Sequence, residues 1–427
     1  MYYLKQVLHQ SKKVPIKKII VDHHLIENIY EISTLYGDDI FLVADENTKS
    51  LLNKSALDKI SHLIIPATLP ILASSSEIPN KSKCSGTCII SNKSFNTASS
   101  IRIVNLIRNK AQSSDLIIAL GSGTVNDVCK YASYLDKKNY ISFPTAASVN
   151  GYISANASVL VNGHKKSFTA HLPKAVYVDI DIITNAPLRL TLSGFADFIC
   201  RSTVKADWLL SHLLLGTEYN ELPFTLIGDL EEILLREYLA LTKKNKKVVL
   251  LLMEGLLISG LGMTISKGSY SASQGEHMIA HAMEIVTKDY SSLHGEKIAV
   301  TTLTMASIQE KILSMQNPIF KPIILDLKEI IEYFGNNEFA KILEQKKVLQ
   351  QKIGEIFCKR WNNISGIIRQ NLLPARQLRK IFEDLSIPHL PAHLGWNDEQ
   401  YYKVVNLAFA TRNRLTFLDL IHCIKEE

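Results

Sequence analysis

One stretch of the sequence decides how the first half of the chain folds, LIIALGSGTV at residues 116–125. Its apolar run from Leu116 to Leu120 is typical of a buried strand in a parallel sheet, and a helix pattern begins at Val125. Glycines in the turn between them let the backbone approach a ligand closely, and the free N–H groups of a helix start favour phosphate. The turn carries Asn126 where the usual dinucleotide pattern has a third glycine, so a plain strand-to-helix connection is the alternative.

Strand-like and helix-like segments alternate on both sides of this stretch. Strands are predicted at residues 41–44, 62–66, 115–120, 140–144 and 175–178, with a helix at 125–135. Such alternation is typical of an α/β domain with parallel strands. Asp45 directly follows the first of these strands, which makes it a candidate acceptor for the ribose or adenine groups of a bound nucleotide.

Two segments interrupt this alternation. Residues 158–161 and 166–169 flank Asn162-Gly163, a pair that adopts the positive φ angles of a tight turn, so we expect a β-hairpin beside the sheet. Residues 74–96 are rich in Ser, Lys and Asn and are predicted to form a surface excursion. Both segments are interpreted as additions to one N-terminal α/β domain.

The pattern changes after about residue 185, where strand signals become scarce. Segments with helical apolar spacing are predicted at residues 190–215, 226–243, 248–266, 275–286 and 295–313, with further helices to the end. Apolar residues that recur every three to four positions are typical of amphipathic helices. The second domain is therefore predicted to be almost entirely α-helical.

Composition excludes several classes of protein. The net charge of +7 over 427 residues suits an anionic ligand, but the basic clusters are too short for the charged stripe that nucleic-acid binding requires. The most apolar stretch, residues 248–265, carries Glu254 and three glycines, so we expect a buried core helix rather than a membrane span. Six cysteines without zinc-site spacing, and no signal-peptide pattern, indicate a cytoplasmic protein with reduced thiols.

Four polar residues stand out in the helical half of the chain. Asp197 lies in an otherwise apolar segment, His277 and His281 are spaced so that both rings face one side of a helix, and His294 opens the next helix. One carboxylate and two imidazoles can bind a divalent cation and leave a position free for a substrate oxygen. The alternatives are a hydrogen-bonded histidine pair in the core and a histidine that caps a helix.

Five motifs in order resemble those of the sn-glycerol-1-phosphate dehydrogenase family of the iron-containing alcohol dehydrogenase superfamily, which has a dehydroquinate synthase-like fold. They are GSGTVNDVCKY at 121–131, PTAASVNGY at 144–152, GFAD at 194–197, GEHMIAH at 275–281 and HGE at 294–296. The resemblance implies an α/β N-terminal Rossmann-like, NAD(P)-binding domain at residues 1–185. It also implies an all-α C-terminal, metal-binding catalytic domain at residues 186–427, with the active site in the interdomain cleft.

The resemblance also implies roles for individual residues. Those implied to bind NAD or NADP are Gly121, Ser122, Gly123, Thr124 and Val125 at the pyrophosphate, and Thr145, Ala146, Ala147, Ser148 and Ser154 near the nicotinamide. One divalent metal ion, zinc, nickel or iron, is implied to bind Asp197, His277 and His294. Asn150, Asp197 and His281 are implied to contact the substrate, with Asp197 and His281 as catalytic residues.

The implied reaction is hydride transfer between NAD(P)H and dihydroxyacetone phosphate to give sn-glycerol 1-phosphate, a step of phospholipid metabolism. Asn150 stands where the family commonly has aspartate, and Arg201 where it usually has lysine. Lys165, Lys166 and Arg201 are candidates for contacting the substrate phosphate. The alternatives are a superfamily dehydrogenase for another polyol or aldehyde, a 3-dehydroquinate synthase-like cyclase, and a catalytically silent member. We expect a homo-oligomer that acts on a small phosphorylated substrate, without nucleic acid or membrane insertion.

Overall fold

The computed structural model describes residues 3–4, 16, 18–66, 88–89, 100–161, 164–316, 318–321, 327–335 and 338–425. Its contacts divide the chain into two compact units. The first unit comprises Met1–Gly194 and Ala240–Leu261, and the second comprises Phe195–Leu239 and Gly262–Glu427. The functional boundary predicted after residue 185 stays a prediction.

The first unit contains a parallel sheet of seven strands. In chain order these are β1 (Lys18–Asp22), β2 (Ile40–Asp45), β3 (Ser61–Ile65), β4 (Cys88–Ile89), β5 (Leu116–Gly121), β6 (Asn139–Pro144) and β9 (Ala175–Asp179). Their order across the sheet is β1-β9-β6-β5-β2-β3-β4. The predicted α/β class is confirmed, and so are the strands predicted from residues 41–44, 62–66, 115–120, 140–144 and 175–178.

Strand β5 is central and every one of its residues is buried. Alternate side chains point to opposite faces of a strand, and two apolar cores divide β5 accordingly. Ile117 and Ala119 join one core, whereas Leu116, Ile118 and Leu120 join the other. An uninterrupted apolar run is therefore what this position in the sheet requires.

Helices and a hairpin accompany the sheet. The helices are α1 (Ile29–Ser33), α2 (Lys54–Lys59), α3 (Ser100–Lys110), α4 (Gly123–Leu135), α5 (Ile180–Asn185) and α6 (Leu188–Ile199). Strands β7 (Asn156–Val161) and β8 (His164–Thr169) pair antiparallel, which confirms the predicted hairpin. The turn residues Asn162 and Gly163 lie outside the described residues. So does the excursion predicted at residues 74–96, apart from β4.

The rest of the chain is mainly helical. Its helices are α7 (Arg201–Leu215), α8 (Leu222–Thr225), α9 (Gly228–Glu237), α10 (Lys246–Ile265), α11 (Gly275–Thr287), α12 (His294–Ser314), α13 (Leu327–Phe334), α14 (Glu338–Arg369), α15 (Ala375–Asp384), α16 (Asp398–Leu407) and α17 (Phe417–Cys423). Two short strands, β10 (Ile319–Phe320) and β11 (Ile424–Lys425), pair with each other. The segment predicted at 190–215 is two helices, α6 and α7, which are separated at Cys200.

Helix α10 is long and apolar enough to cross a membrane by length and composition alone. In the structure, 78% of its most apolar window is buried. Its Glu254 is also buried, and Oε1 accepts a hydrogen bond of 2.7 Å from the backbone N–H of Leu4. These contacts agree with the core helix that the sequence predicts.

A buried carboxylate joins the starts of two helices in the second unit. Asp207 accepts hydrogen bonds of 2.9 Å from the backbone N–H of Gly275, at the start of α11, and from that of Phe417, at the start of α17. Burial, assisted by the charge of Glu276, raises the pKa of Asp207 to about 8. This carboxyl group therefore holds a proton in the folded protein at pH values where it is ionised in the unfolded chain.

Asp207 should make stability depend on pH. Because its pKa rises on folding, its contribution to the free energy of unfolding is complete below about pH 4 and is lost as the pH rises through about 8. In urea unfolding between pH 5 and pH 9, the stability of wild type relative to Asp207→Asn should fall, with a slope of up to about 1.4 kcal/mol per pH unit. The exposed Asp229→Asn should keep the wild-type profile, and a constant difference between wild type and Asp207→Asn would contradict the assignment.

Candidate metal centre and cofactor loop

The glycine turn lies between β5 and α4, as predicted. Two of its positions have no room for a side chain, because a Cβ on Gly121 would lie 2.5 Å from Val125 Cγ2 and one on Gly123 would lie 2.7 Å from Val149 Cγ2. The turn residues of the predicted cofactor loop are Gly121, Ser122, Gly123, Thr124 and Val125. Asn126, which replaces the usual third glycine, is buried, and its Oδ1 accepts a hydrogen bond from Ser142 Oγ at 2.9 Å. The loop can therefore bring backbone N–H groups close to a phosphate.

Asp45 lies at the carboxyl end of β2, next to β5. Its Oδ1 accepts hydrogen bonds from the backbone N–H of Thr48 at 2.8 Å and from Thr48 Oγ1 at 2.9 Å. The carboxylate is half-buried and keeps capacity for a further donor. Its predicted contact with ribose or adenine stays a prediction.

The residues predicted to line the nicotinamide side follow β6 and are mostly buried. They are Thr145, Ala146, Ala147, Ser148 and Ser154. The hydroxyl of Tyr152 donates to the carbonyl of Ala146 at 2.7 Å and lies 3.2 Å from Ser148 Oγ, so it closes this segment into a fixed loop. Their contact with nicotinamide stays a prediction.

Lys130 holds the backbone of residues 151–156 in place through hydrogen bonds. Sequence reasoning missed this role. The side chain is fully buried in α4, and Nζ donates to the carbonyls of Gly151 at 2.6 Å and Asn156 at 3.0 Å. Nζ also lies 3.3 Å from Asp127 Oδ1 and 3.4 Å from Ser154 Oγ. The signal available in the sequence is the i, i+3 pair of Asp127 and Lys130 within an otherwise apolar helix.

Three predicted metal ligands lie together within the second unit. Asp197 Oδ1 is 3.6 Å from His277 Nε2 and 3.7 Å from His294 Nε2, and one ligand atom from each residue lies within 4.8 Å of the others. Ligand bonds near 2.1 Å in a tetrahedral site separate ligand atoms by roughly 3.4 Å, so these distances need little adjustment around an ion. The donor set of one carboxylate and two imidazoles fits a divalent zinc, nickel or iron ion.

Glu276 orients the first of these histidines. His277 Nδ1 lies 2.7 Å from Glu276 Oε1, which directs Nε2 toward Asp197. Burial lowers the pKa of His277, but the hydrogen bonds and charges of Asp197 and Glu276 outweigh it, so the pKa is raised overall. A carboxylate behind a ligating histidine fixes the ring and its tautomer. Sequence reasoning gave Glu276 no role, although it directly precedes His277.

Cys200 offers a second grouping with Glu276 and His277, because their possible ligand atoms also lie within 4.8 Å of one another. Burial, assisted by nearby carboxylates, raises the pKa of the Cys200 thiol well above its usual value. A metal binds the thiolate and not the thiol, so this environment disfavours Cys200 as a ligand. Asp197, His277 and His294 form the better set.

His281 lies one turn after His277 on α11. Its ring centroid is 6.3 Å from that of His277 and 6.3 Å from that of His294. Its Nδ1 is 3.3 Å from Glu284 Oε2, and Glu284 Oε1 accepts a hydrogen bond from Lys297 Nζ at 3.0 Å. His281 therefore borders the candidate metal site, and its side chain is 18% exposed.

The predicted substrate residues outside this cluster have different surroundings. Asn150 directly precedes the short 3-10 helix Gly151–Ile153 in the first unit, and its contact with substrate stays a prediction. Arg201 is buried, pairs with Glu231 Oε2 at 2.7 Å and donates to the carbonyl of Phe224 at 3.2 Å. Lys165 and Lys166 lie on β8 of the hairpin. No phosphate role is established for these three basic residues, and those roles stay predictions.

The fold is shared with solved dehydrogenases. A probable glycerol dehydrogenase from Sinorhizobium meliloti 1021 matches with a TM-score of 0.59 and 16% sequence identity, over 95% of this chain and 91% of that chain. At this identity the likeness concerns the fold alone. The parallel sheet with its glycine turn and the helical unit with its carboxylate and histidines therefore have the architecture of this class of protein.

Sequence comparison shows which proteins the chain is similar to. The chain is 26% identical to a glycerol-1-phosphate dehydrogenase [NAD(P)+] from Geobacillus thermodenitrificans (strain NG80-2), over 98% of this chain and 94% of the relative. It is 37% identical to the enzyme of the same name from Pyrococcus abyssi (strain GE5 / Orsay), over 44% of this chain and 54% of that relative. The profile of the family described as iron-containing alcohol dehydrogenase matches residues 31–187. Over residues 31–187 the chain is therefore similar to the iron-containing alcohol dehydrogenase family.

Proposed function

We propose that the protein is a metal-dependent NAD(P)H oxidoreductase that interconverts dihydroxyacetone phosphate and sn-glycerol 1-phosphate in the cytoplasm. The observation that carries this proposal is the convergence of Asp197, His277 and His294 from three helices, with one ligand atom of each inside 4.8 Å. The relative from Geobacillus thermodenitrificans, which matches 98% of the chain, supports the choice of substrate. We also propose that the enzyme works as a homo-oligomer.

We propose separate roles for the residues of the second unit at the metal centre. Asp197, His277 and His294 would hold the ion, and Glu276 keeps the ring of His277 in the ligating orientation. A divalent zinc, nickel or iron ion held there supplies a Lewis acid for the C2 oxygen of the substrate. The two buried carboxylates also balance the positive charge that the site would receive.

His281 is the residue that we propose moves the proton. An imidazole titrates near neutral pH, so it can give a proton to the substrate oxygen in reduction and take it back in oxidation. Glu284 lies behind its Nδ1 at 3.3 Å and is itself paired with Lys297. These two contacts orient the ring of His281 beside the candidate metal site.

Residues of the first unit are proposed to hold the cofactor. The N–H groups of the turn at 121–125 would bind the pyrophosphate, and Asp45 would accept from the ribose or adenine. Thr145, Ser148 and Ser154 would border the nicotinamide ring, on the loop that Tyr152 and Lys130 keep in place. Hydride transfer needs such a fixed ring, because the donor carbon must stay close to the C2 carbon.

The direct test uses the full chain reloaded in turn with Zn²⁺, Ni²⁺ and Fe²⁺. Oxidation of NADH and of NADPH is followed with dihydroxyacetone phosphate and with dihydroxyacetone. We expect kcat/KM for the phosphorylated substrate to exceed that for dihydroxyacetone by roughly 100-fold or more. A preference for dihydroxyacetone or for another polyol or aldehyde would support the second candidate, a superfamily dehydrogenase with a different substrate. Inactivity with every metal and substrate would overturn both.

Asn150 is the observation that favours this second candidate, because the resemblance implies an aspartate at this position in the family. If Asn150 contacts a substrate hydroxyl, Asn150→Asp should strengthen that hydrogen bond and raise kcat/KM by about tenfold for both dihydroxyacetone phosphate and dihydroxyacetone. Steady-state kinetics measure the change. The exposed Asn397→Asp keeps its helix-capping oxygen and should leave both values unaltered. Unchanged kinetics in Asn150→Asp would remove Asn150 from the substrate site.

A further inference from the structure

Two arginines near the C-terminus surround the segment that leads into α11. Arg412 Nη1 donates to Ser273 Oγ at 2.9 Å. Arg414 Nη1 donates to the carbonyl of Ser273 at 2.6 Å, and its Nη2 donates to Ser269 Oγ at 3.0 Å. We call Arg412, Arg414, Ser269 and Ser273 the arginine cluster. All four residues belong to the second unit, and Ser273 lies four residues before His277.

The cluster lacks a balancing carboxylate. Within the described part of the chain, no Asp or Glu oxygen lies within 4.0 Å of either guanidinium, whereas the neighbouring Lys346 is paired with Asp419 at 2.7 Å. Glu276 acts on both arginines through its charge, but it is already hydrogen-bonded to His277. Burial, together with the charge of Arg414, lowers the pKa of Arg412 to about 9. Adjacent buried cations of this kind are stabilised by an anion.

The guanidinium and hydroxyl groups of the arginine cluster are held in fixed positions by contacts within the protein. The Arg414 guanidinium lies 4.1 Å from the centroid of the Tyr270 ring, which fixes its plane by stacking. The hydroxyl oxygens of Ser269 and Ser273 accept from the arginines, so their own protons remain to be donated. Arg412 and Arg414 are largely buried but keep some exposed surface, and Tyr270 is 40% exposed, so the cluster borders solvent.

We propose that the arginine cluster binds the phosphate group of a small phosphorylated ligand. Guanidinium pairs match phosphate oxygens in charge and in geometry, and two hydroxyl donors complete the contacts. This inference rests on the proposed function where that phosphate belongs to dihydroxyacetone phosphate, since the cluster adjoins the segment that carries His277. Free inorganic phosphate, bound as a separate ligand, offers the same chemistry.

Binding is tested separately from catalysis. Inorganic phosphate is titrated into the full chain by calorimetry, for wild type, Arg412→Gln and Arg412→Lys. We expect the Kd for phosphate to rise at least about tenfold in Arg412→Gln and less in Arg412→Lys, which keeps the charge but loses the fork of donors. The exposed Arg236→Gln is the matched control and should bind as wild type does. If Arg412→Gln fails to fold, the titrations of Arg412→Lys and of wild type still show whether the arginine cluster binds phosphate.

Kinetics then distinguish the two sources of phosphate. If the substrate supplies it, Arg412→Gln raises KM for dihydroxyacetone phosphate at least about tenfold and leaves dihydroxyacetone unaffected, and inorganic phosphate competes with the phosphorylated substrate. If free phosphate is the ligand, Arg412→Gln loses phosphate binding while both KM values stay the same. The proposal is overturned if wild type binds no phosphate, or if all three proteins bind it equally, since the arginines would then only hold the segment at 269–273. Phosphate binding in a protein inactive on every substrate would overturn the proposed function and leave the cluster intact.

Discussion

The His277→Ala variant is expected to lose its metal and at least about 1000-fold in kcat/KM, which corresponds to about 4 kcal/mol of transition-state stabilisation. Removing the imidazole leaves Asp197 and His294 as two ligands where a catalytic site needs three. It also leaves the buried Glu276 without the ring that now lies 2.7 Å from its Oε1. Glu276 would keep its hydrogen bonds from Thr203 Oγ1 and from the backbone N–H of Gln274, but a buried carboxylate that loses one partner is less well stabilised, so a lower stability is expected together with the loss of activity.

Asp197→Asn separates these two effects. The amide has nearly the same size as the carboxylate but binds a divalent cation poorly, so metal content should fall while the fold is kept. Metal per chain is measured by plasma mass spectrometry, folding by circular dichroism, and activity with the reloaded protein. His212→Ala is the control, because that ring is on the exposed part of α7 and bonds only to the carbonyl of Thr217 among the described residues. Full metal content in both Asp197→Asn and His277→Ala would show that the ion binds elsewhere.

The sequence predicted the structure correctly where the residues that determine an element are close together in the chain. The run at 116–120 is apolar at every position because both faces of β5 are covered, and this predicted the strand correctly. The same holds for the hairpin, where alternation and a turn signal coincide. Asp197, His277 and His294 were predicted as one set through the resemblance, and the structure brings them together.

Two kinds of contact could not be predicted from the sequence. The first joins residues that are far apart in the chain, and the second involves charged helix residues that resemble ordinary surface residues. Glu276 and Lys130 lie inside quoted motifs, yet a charged residue on a helix is usually solvated, and only their burial reveals their bonds. Arg412 and Ser273 are separated by 139 positions, so no spacing rule relates them. The division of 190–215 into two helices at Cys200 leaves the apolar pattern intact, so that pattern could not reveal it.

Gly194→Ala is expected to have the second large effect, on stability and on cofactor binding. Its cause is a steric overlap and not the loss of a reacting group. In α6, an added Cβ would lie 1.9 Å from the carbonyl oxygen of Ala147 and 2.9 Å from Ser148 Cα. Both are backbone atoms, so no side-chain rotation can relieve the overlap, and either the helix or the loop at 145–148 must move. We expect the free energy of unfolding to fall by about 3 kcal/mol, and KM for the nicotinamide cofactor to rise about tenfold.

Gly366→Ala provides the matched control for this substitution. Gly366 is also within a helix, α14, but a Cβ there has no atom within 4 Å, so the change should stabilise the helix by about 0.5–1 kcal/mol. Urea unfolding of both variants and cofactor titrations at saturating substrate measure the two effects. A Gly194→Ala protein as stable as Gly366→Ala, with an unchanged KM for the cofactor, would mean that α6 does not press on this loop. Asp197 follows three residues later on the same helix, so metal content should fall along with cofactor binding if the helix moves.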